Sequence, residues 1–447
     1  MFIKRPLRPY QVQALKYCKA VKNPALFMEM GLGKTIVAIR YCKSQFLGRN
    51  LIVAPYSAFN SWIEELHNEH EPPAVELIGS RKQRKALIYK DAKWFILNKE
   101  GHHSINQITE INWDIIILDE SDFISRPPKT NKSRFGRRLN TTAFYLKHFR
   151  NVKYRMILTG TPGEENIMQY FTQLQFLDSE IFGFKSFYSW RSACFSQYGF
   201  KFIMKPKYKN QFIKILSERC FFLTRKNVDL HSEQITTVRK IKMKTNLLTV
   251  YKNFTETFIL EYNGQTINQT KYSLVLFQYL KLLCSGFLDN KMVFDEKINE
   301  LFYLLNGELS GKPVVVCCVR TIEIEYLKSK IKNSVAVYGK INQSERTSIL
   351  CKFNNRKFKI LIVNPACIQY GTDLSVSDTI IFFSLPLSSK SYLQIKGRLE
   401  RGARKKSILN IYLIMKGSVE EDNYLGLKQK KSKDEILRMM IKRVSNK

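Results

Sequence analysis

The sequence predicts an α/β protein of two parallel-sheet lobes with a mostly helical region linking them. Three observations carry that expectation. Apolar runs recur as short continuous stretches rather than strict alternations, the pattern of strands covered on both faces. The runs fall in two sets, one within residues 25–158 and one within residues 314–414. The first set opens with a glycine-rich loop lying between an apolar run and a helical pattern, the context in which such loops bind phosphate.

The first run, Ala25 to Phe27, leads into Met28-Glu29-Met30-Gly31-Leu32-Gly33-Lys34-Thr35, and a helical pattern follows from Ile36 to Tyr41. Gly31 and Gly33 carry no Cβ, so their backbone N–H groups can approach phosphate oxygens, and the next helix turns its positive end toward them. Met30 and Leu32 belong to the same cradle. Lys34 is suited to the β- and γ-phosphates of ATP and the Thr35 hydroxyl to Mg2+. Met28 stands where this pattern usually has a small residue, and its backbone rather than its side chain is expected to face the nucleotide. Further strands are expected at Leu51 to Ala54, Trp94 to Leu97, Ile115 to Leu118 and Met156 to Leu158. Asp119 and Glu120 follow the third of these directly. Nucleotide-hydrolysing sheets carry a magnesium-binding Asp and a water-activating Glu at such a strand end. Leu158-Thr159-Gly160-Thr161-Pro162 ends the next strand, and its hydroxyls read either as sensors of the γ-phosphate or as a turn.

The middle region, Phe176 to Met292, is rich in aromatics and lysine and mostly helical in pattern. Within it Tyr198 to Asn210 alternates large apolar and basic residues around a proline, which fits a basic hairpin or a solvated loop. The second set of strands is expected at Val314 to Val319, Ser334 to Val337, Ile360 to Val363, Thr379 to Phe383 and Leu409 to Ile414. Arg398 and Arg401 then stand three apart and share a helix face. They would act as arginine fingers if that face closes on the phosphate site, and otherwise as part of a solvated basic helix. The expected domains are residues 1–229 with a basic insertion near 177–215, a helical linker at 230–290, a second lobe at 291–427, and a basic tail at 428–447 that is either an amphipathic helix or a frayed end.

Composition narrows the partner. Seventy-three Lys and Arg against thirty-eight Asp and Glu give a net charge of +35 in 447 residues, far beyond what solubility needs. That surplus predicts attraction to a polyanion, nucleic acid first and an anionic membrane surface second. No run of about 18 apolar residues appears and the N-terminus has no signal-peptide core, so a soluble cytoplasmic protein is expected, acting as a monomer. Nine cysteines show no Cys-x-x-Cys pair and read as buried or incidental thiols of a reducing compartment. His102 and His103 lack ligand spacing and are assigned to a solvated loop. Two basic clusters are candidate DNA contacts, or equally a solvated charged surface: Arg134, Arg137 and Arg138 in a loop rich in Pro, Asn and Lys, and Lys205, Lys207 and Lys209 in the candidate hairpin.

The motifs in chain order resemble a known family. They are Leu7-Arg8-Pro9-Tyr10-Gln11, Met30 to Thr35, Val53-Ala54-Pro55 with Trp62, Asp119-Glu120-Ser121-Asp122, Leu158 to Pro162, Tyr370-Gly371-Thr372-Asp373-Leu374, and Gln394-x-x-Gly397-Arg398-x-x-Arg401. The set resembles the superfamily-two helicase motors of the Swi/Snf-like group from Leu7 to about Glu421. That resemblance implies two RecA-like lobes that hydrolyse ATP with Mg2+ and track along duplex DNA. It further implies that Gln11 reads adenine, Lys34 and Thr35 hold phosphate and metal, Asp119 positions the metal and Glu120 activates water. Arg398 and Arg401 would complete the site from the second lobe, with Gly371 and Asp373 lining the cleft. Leu223-Thr224-Arg225-Lys226 resembles the stretch closing the family's first lobe, and Gly417 to Glu421 its C-terminal brace. Asp122 departs from the family's usual His, so coupling of hydrolysis to nucleic acid is expected to use other contacts. The short chain also resembles compact phage-encoded helicases of branched DNA, of the phage T-five type, which implies remodelling of forks and Holliday-like junctions in replication, recombination or repair, in the host cytoplasm. On that view Tyr198 to Asn210 is a candidate wedge. Other readings are a duplex translocase serving a remodelling or restriction complex, an ATP-gated DNA clamp, and an RNA helicase. A clamp has no need of Glu120, Arg398 and Arg401, and the motif set departs from the Asp-Glu-Ala-Asp of RNA helicases.

Overall fold

The computed structural model describes residues 5–133, 136–163, 166–199, 201–228, 230, 232–270, 273–368, 372–400, 406–431 and 433–445. The chain divides into two compact units, Met1–Leu230 and His231–Lys447.

The first unit is built on a seven-stranded sheet: β1 (Ala25–Met28), β2 (Asn50–Ala54), β3 (Val75–Glu76), β4 (Trp94–Asn98), β5 (Ile115–Asp119), β6 (Tyr154–Thr159) and β7 (Cys220–Leu223), in the order β7-β1-β6-β5-β2-β4-β3. Every pairing is parallel. The apolar runs are continuous because both faces are covered: all residues of β1, β2 and β5 are buried. Helix α1 (Pro9–Ala20) precedes β1 and α2 (Lys34–Ser44) follows the glycine-rich loop; α3 (Gln169–Leu177) follows β6.

The second unit carries a six-stranded sheet, again wholly parallel: β8 (Gln234–Ile241), β9 (Val314–Cys317), β10 (Ser334–Val337), β11 (Ile360–Val363), β12 (Thr379–Phe382) and β13 (Ile408–Met415), in the order β8-β13-β12-β9-β11-β10. Helices α4 (Ser273–Cys284), α5 (Glu296–Asn306), α6 (Ser389–Leu399), α7 (Val419–Lys428) and α8 (Lys433–Ser445) belong to it.

Two expectations are corrected. Residues 230–290 hold the helices Thr245–Thr257 and α4 but are not helical throughout: β8 pairs with β13 from Gln234↔Ile408 to Ile241↔Met415, and an antiparallel hairpin pairs Ile259–Tyr262 with Gln265–Gln269. As an edge strand β8 is largely exposed, so Gln-Ile-Thr-Thr-Val-Arg-Lys-Ile lacks the continuous apolar run that betrays a covered strand. Residues 130–139 are not a loop but a hairpin, Thr130–Ser133 with Gly136–Leu139. Of the two readings of the tail the amphipathic helix holds through Ser445: in α8 Ile436 and Met440 are buried, and Arg443 pairs with Asp422 and, at 3.2 Å, with Glu421 of α7. Among the described residues no helix is long and apolar enough to cross a membrane.

Candidate functional site

The chain leaves β1 at Met28 and turns into α2 through the glycine-rich loop. Gly31 and Gly33 both have φ of 80°, a left-handed conformation that residues with a Cβ adopt only under strain. A Cβ on Gly33 would also lie 2.3 Å from Gln11 Nε2, so space demands glycine there as well. Gln11 is buried on α1; its Nε2 donates to Leu32 O at 3.1 Å and its Oε1 accepts from Arg8 N at 3.0 Å. Lys34 is buried and donates to Met28 O at 2.8 Å, which holds the ammonium over the loop. The Met28 side chain is fully buried in the sheet, and its carbonyl is what meets the loop. Thr35 is half-buried in the first turn of α2, a turn without any acidic residue to oppose an anion at the helix N-terminus. A cradle that a Cβ would fill, a helix N-terminus free of counter-charge and a lysine folded over both fit a phosphate chain.

The strand order brings distant motifs together. β6 lies between β1 and β5, so the loop, Thr159–Pro162 and Asp119–Glu120 emerge side by side at one edge of the sheet. Gly160 allows close approach, since a Cβ there would meet Met30 N and Cγ at 3.4 Å. Asp119 and Glu120 are buried. Asp119 Oδ2 accepts from Trp62 Nε1 at 2.8 Å and Oδ1 from Glu120 N at 3.0 Å. Burial first, and then the adjacent Glu120 charge, hold the Asp119 carboxyl above the usual carboxylate range, against the pull of Trp62 and Lys34. Two buried neighbouring carboxylates beside a phosphate cradle form a donor set that fits a divalent cation. Thr159 Oγ1 donates to Glu120 Oε2 at 3.4 Å and accepts from Thr161 N at 3.1 Å.

Two residues with no sequence signal complete this region. Gln173 on α3 is fully buried; its Oε1 accepts from Ser121 Oγ at 2.7 Å and its Nε2 donates to Pro162 O at 2.9 Å. It therefore clips the Asp-Glu segment to the Thr-Gly-Thr-Pro segment. Glu29 Oε2 accepts from Arg225 N at 2.8 Å, tying the loop to the Thr224–Lys226 stretch that follows β7. Gln173 is one of three glutamines in the helix Gln-Tyr-Phe-Thr-Gln-Leu-Gln-Phe-Leu and nothing in its spacing marks it, and Glu29 lay hidden inside the loop motif.

In the second unit Arg398 is buried on α6 and its carbonyl accepts from Leu374 N at 3.0 Å, which fixes the 373–375 turn to the helix end. Asp373 is exposed, its Oδ1 accepting from Ser375 N at 2.9 Å and its carbonyl from Asn354 Nδ2 at 3.0 Å. Gly371, Arg401 and Arg134 lie outside the described residues. In the Gly417 to Glu421 segment Glu420 is buried against Lys297 of α5 at 2.6 and 2.8 Å and accepts from Met415 N at 3.1 Å.

The basic clusters need correcting in detail. Arg137 and Arg138 sit on the second strand of the 130–139 hairpin, opposite Lys132 and Asn131. Lys205 stands just before the helix Pro206–Arg219 and its Nζ donates to Ala193 O at 2.7 Å, so it serves the local fold. Lys207 and Lys209 are not in the hairpin; they are exposed on that helix. His102 is not solvated either: it is buried, its ring 4.6 Å from Phe144 with Nδ1 2.9 Å from Lys99 O, and burial pulls its pKa down to about 4.

Comparison with known proteins adds the following. A family model described as an SNF2-related domain matches residues 10–285, and one described as a helicase conserved C-terminal domain matches residues 296–403. The SWI/SNF chromatin-remodeling complex subunit snf22 of Schizosaccharomyces pombe is 26% identical over 94% of this chain and 27% of its own length. The ISWI chromatin-remodeling complex ATPase ISW1 of Saccharomyces cerevisiae is 24% identical over 100% of this chain and 42% of its own length. The chain thus spans well under half of these curated relatives. Among solved structures, the Sulfolobus solfataricus SWI2/SNF2 ATPase core in complex with double-stranded DNA is 20% identical, covers 96% of this chain and 92% of its own, and has a TM-score of 0.46.

Proposed function

We propose that this chain, which belongs to the SNF2-related family, is an ATP-driven DNA translocase whose first unit hydrolyses ATP with Mg2+ and whose work is the remodelling of forks and Holliday-like junctions. One observation carries the reading: the glycine-rich loop leading to Lys34 and Thr35, Thr159 to Pro162, and Asp119 with Glu120 lie at the ends of three neighbouring strands of one parallel sheet. ATP supplies the phosphoryl group whose transfer to water releases the energy for movement. Lys34 and the backbone of Met30 to Gly33 bind its phosphates, and Gln11 lies beside that loop to meet the base. Thr35 and Asp119 hold the cation. Glu120 takes the proton of the attacking water, with Thr159 orienting its carboxylate and Gln173 holding both segments in register. The net charge of +35 supports a phosphate backbone as the track.

A second reading is a duplex translocase that never separates strands, favoured by the chromatin-remodelling relatives. ATP turnover and strand separation measured together on single strands, linear duplex, forks, four-way junctions and RNA discriminate the two, with Lys34→Ala as the inactive control. Unwinding and stimulation confined to branched DNA support junction remodelling. Turnover on plain duplex without strand separation supports the second reading, and turnover indifferent to DNA overturns both.

A further inference from the structure

Between the helices Phe187–Cys194 and Pro206–Arg219 the chain forms an antiparallel hairpin, Phe195–Tyr198 with Lys201–Met204, in the register Phe195↔Met204, Ser196↔Ile203, Gln197↔Phe202 and Tyr198↔Lys201. Alternation along the strands gives it two unlike faces. Phe195, Phe202 and Met204 pack on the inner one, with the exposed Gln197 on the same side near the tip. Phe195 is buried with its ring 4.9 Å from Trp190, and the Arg191 guanidinium lies 4.6 Å over Phe202. Trp190 in turn stacks at 4.7 Å on Phe171 of α3, the helix that carries Gln173. The hairpin therefore has an aromatic foot on an element of the candidate ATP site.

The outer face buries little. Tyr198 is 66% exposed and Ile203 56% exposed, and Tyr198 closes the strand at the tip. An isolated two-stranded hairpin is marginal in water, so this one stands because of its foot, and its outer face is spare for a partner. From Ile181 to Ser217 the chain has seven Lys and Arg and no Asp or Glu. An exposed tyrosine in a lysine-rich stretch matches the two surfaces of an unpaired nucleotide: the phosphate for the cations and the π face of the base for the ring. The interior of a duplex offers no free base face; a branch point does.

We propose that the hairpin is a base-stacking pin in which Tyr198 receives an unpaired DNA base at a branch point. The proposal rests on the reading of the chain as a DNA translocase and adds to it the residue that meets the branch. As the duplex is drawn past, a base stacked on Tyr198 cannot re-pair, and strand separation follows from motion.

The test uses forked and linear duplexes carrying 2-aminopurine at the branch nucleotide or at the matching internal position, with wild type, Tyr198→Ala and Tyr198→Phe. Probe fluorescence, strand separation and ATP turnover are measured on the same preparations. The expected result is a fluorescence change on the fork for wild type and Tyr198→Phe that Tyr198→Ala largely loses, with fork unwinding by Tyr198→Ala down by about tenfold and turnover on linear duplex reduced far less. Tyr198→Phe keeps the ring, and therefore separates loss of stacking from damage to the hairpin. Equal fluorescence and unwinding in wild type and Tyr198→Ala would overturn the pin while DNA-stimulated turnover left the translocase reading standing. Wild-type turnover that ignores DNA would overturn both.

Discussion

At the scale of single residues, the candidate ATP site depends on side chains whose work is to hold others. Gln173 shows this best. It bridges Ser121 Oγ and Pro162 O from a fully buried position, so Gln173→Ala leaves a hydroxyl and a carbonyl without this partner and opens a small void. Leaving buried polar groups unmade costs about 1–3 kcal/mol, and chemical denaturation followed by tryptophan fluorescence is the fitting measurement. All four tryptophans lie in the first unit, so the signal reports that unit. The same substitution frees the turn that sets Thr159 against Glu120, which predicts a larger fall in kcat than in ATP affinity. A variant that loses stability but turns over normally would make Gln173 a packing residue only. The sequence could not single it out, because its burial is licensed by partners from two other segments. The acid pair, the loop lysine and the glycines were legible because their chemistry demands a fixed residue type at a fixed spacing.

Elements were legible to the extent that their surroundings are uniform. The expectation Ser334 to Val337 coincides with β10 and Ile360 to Val363 with β11, each buried at every position. Edge strands β7 and β8 and the hairpins of Thr130–Leu139 and Ile259–Gln269 escaped notice because a half-exposed strand carries a broken apolar run, whereas the hairpin read at Tyr198 to Asn210 is present but begins earlier, at Phe195. How the second unit fastens its closing helix was equally hidden. Lys297 of α5 and Glu420 of α7 are each about 1% exposed and bonded at 2.6 and 2.8 Å. Removing one partner strands a buried charge, so Lys297→Ala is predicted to lower the stability of the second unit by about 3–5 kcal/mol, whereas the double change Lys297→Met with Glu420→Leu is predicted to recover most of it. Amide hydrogen exchange in residues 231–447 reads this unit separately. Lys281 on α4 poses the opposite case. It is buried and donates to Leu385 O at 2.6 Å; burial pulls its pKa from 10.5 down to about 8, Glu420 and Glu323 pull it up, and Arg320 and Lys297 push it further down. Below the folded value its buried charge opposes folding; between about 8 and 10.5 the folded state has shed a proton that the unfolded chain keeps, so stability rises with pH across that window. Lys281→Met should therefore stabilise the second unit at neutral pH by about 1–3 kcal/mol and remove the rise, because Asn423 Nδ2 still serves Leu385 O at 3.3 Å. Unchanged exchange rates at neutral pH, or a rise that persists in the variant, would show that the ammonium is not the source.

Over the whole molecule the dominant quantity is charge. The surplus of +35 is shared almost equally between Met1–Leu230 and His231–Lys447, so neither unit is the sole electrostatic anchor. A polyelectrolyte track answers such a protein with counterion release, and affinity then falls as a power of salt concentration with an exponent of about 0.9 per phosphate contacted. With contacts from two units the exponent should reach at least about 5, so that duplex affinity drops roughly a thousandfold or more between about 50 and 200 mM salt. Lys207 and Lys209 test how that sum is made. Both are exposed on the helix Pro206–Arg219, unlike Lys205, whose Nζ is already held by Ala193 O. If they contact phosphate, the double change Lys207→Ala with Lys209→Ala should lower the exponent by about 2 and weaken binding to every duplex sequence alike, since phosphate contacts carry no sequence information. An exponent that stays constant would mean these lysines keep the helix solvated and the track runs elsewhere. A loss confined to forks would tie them to the pin, because only there does the hairpin beside them meet the DNA.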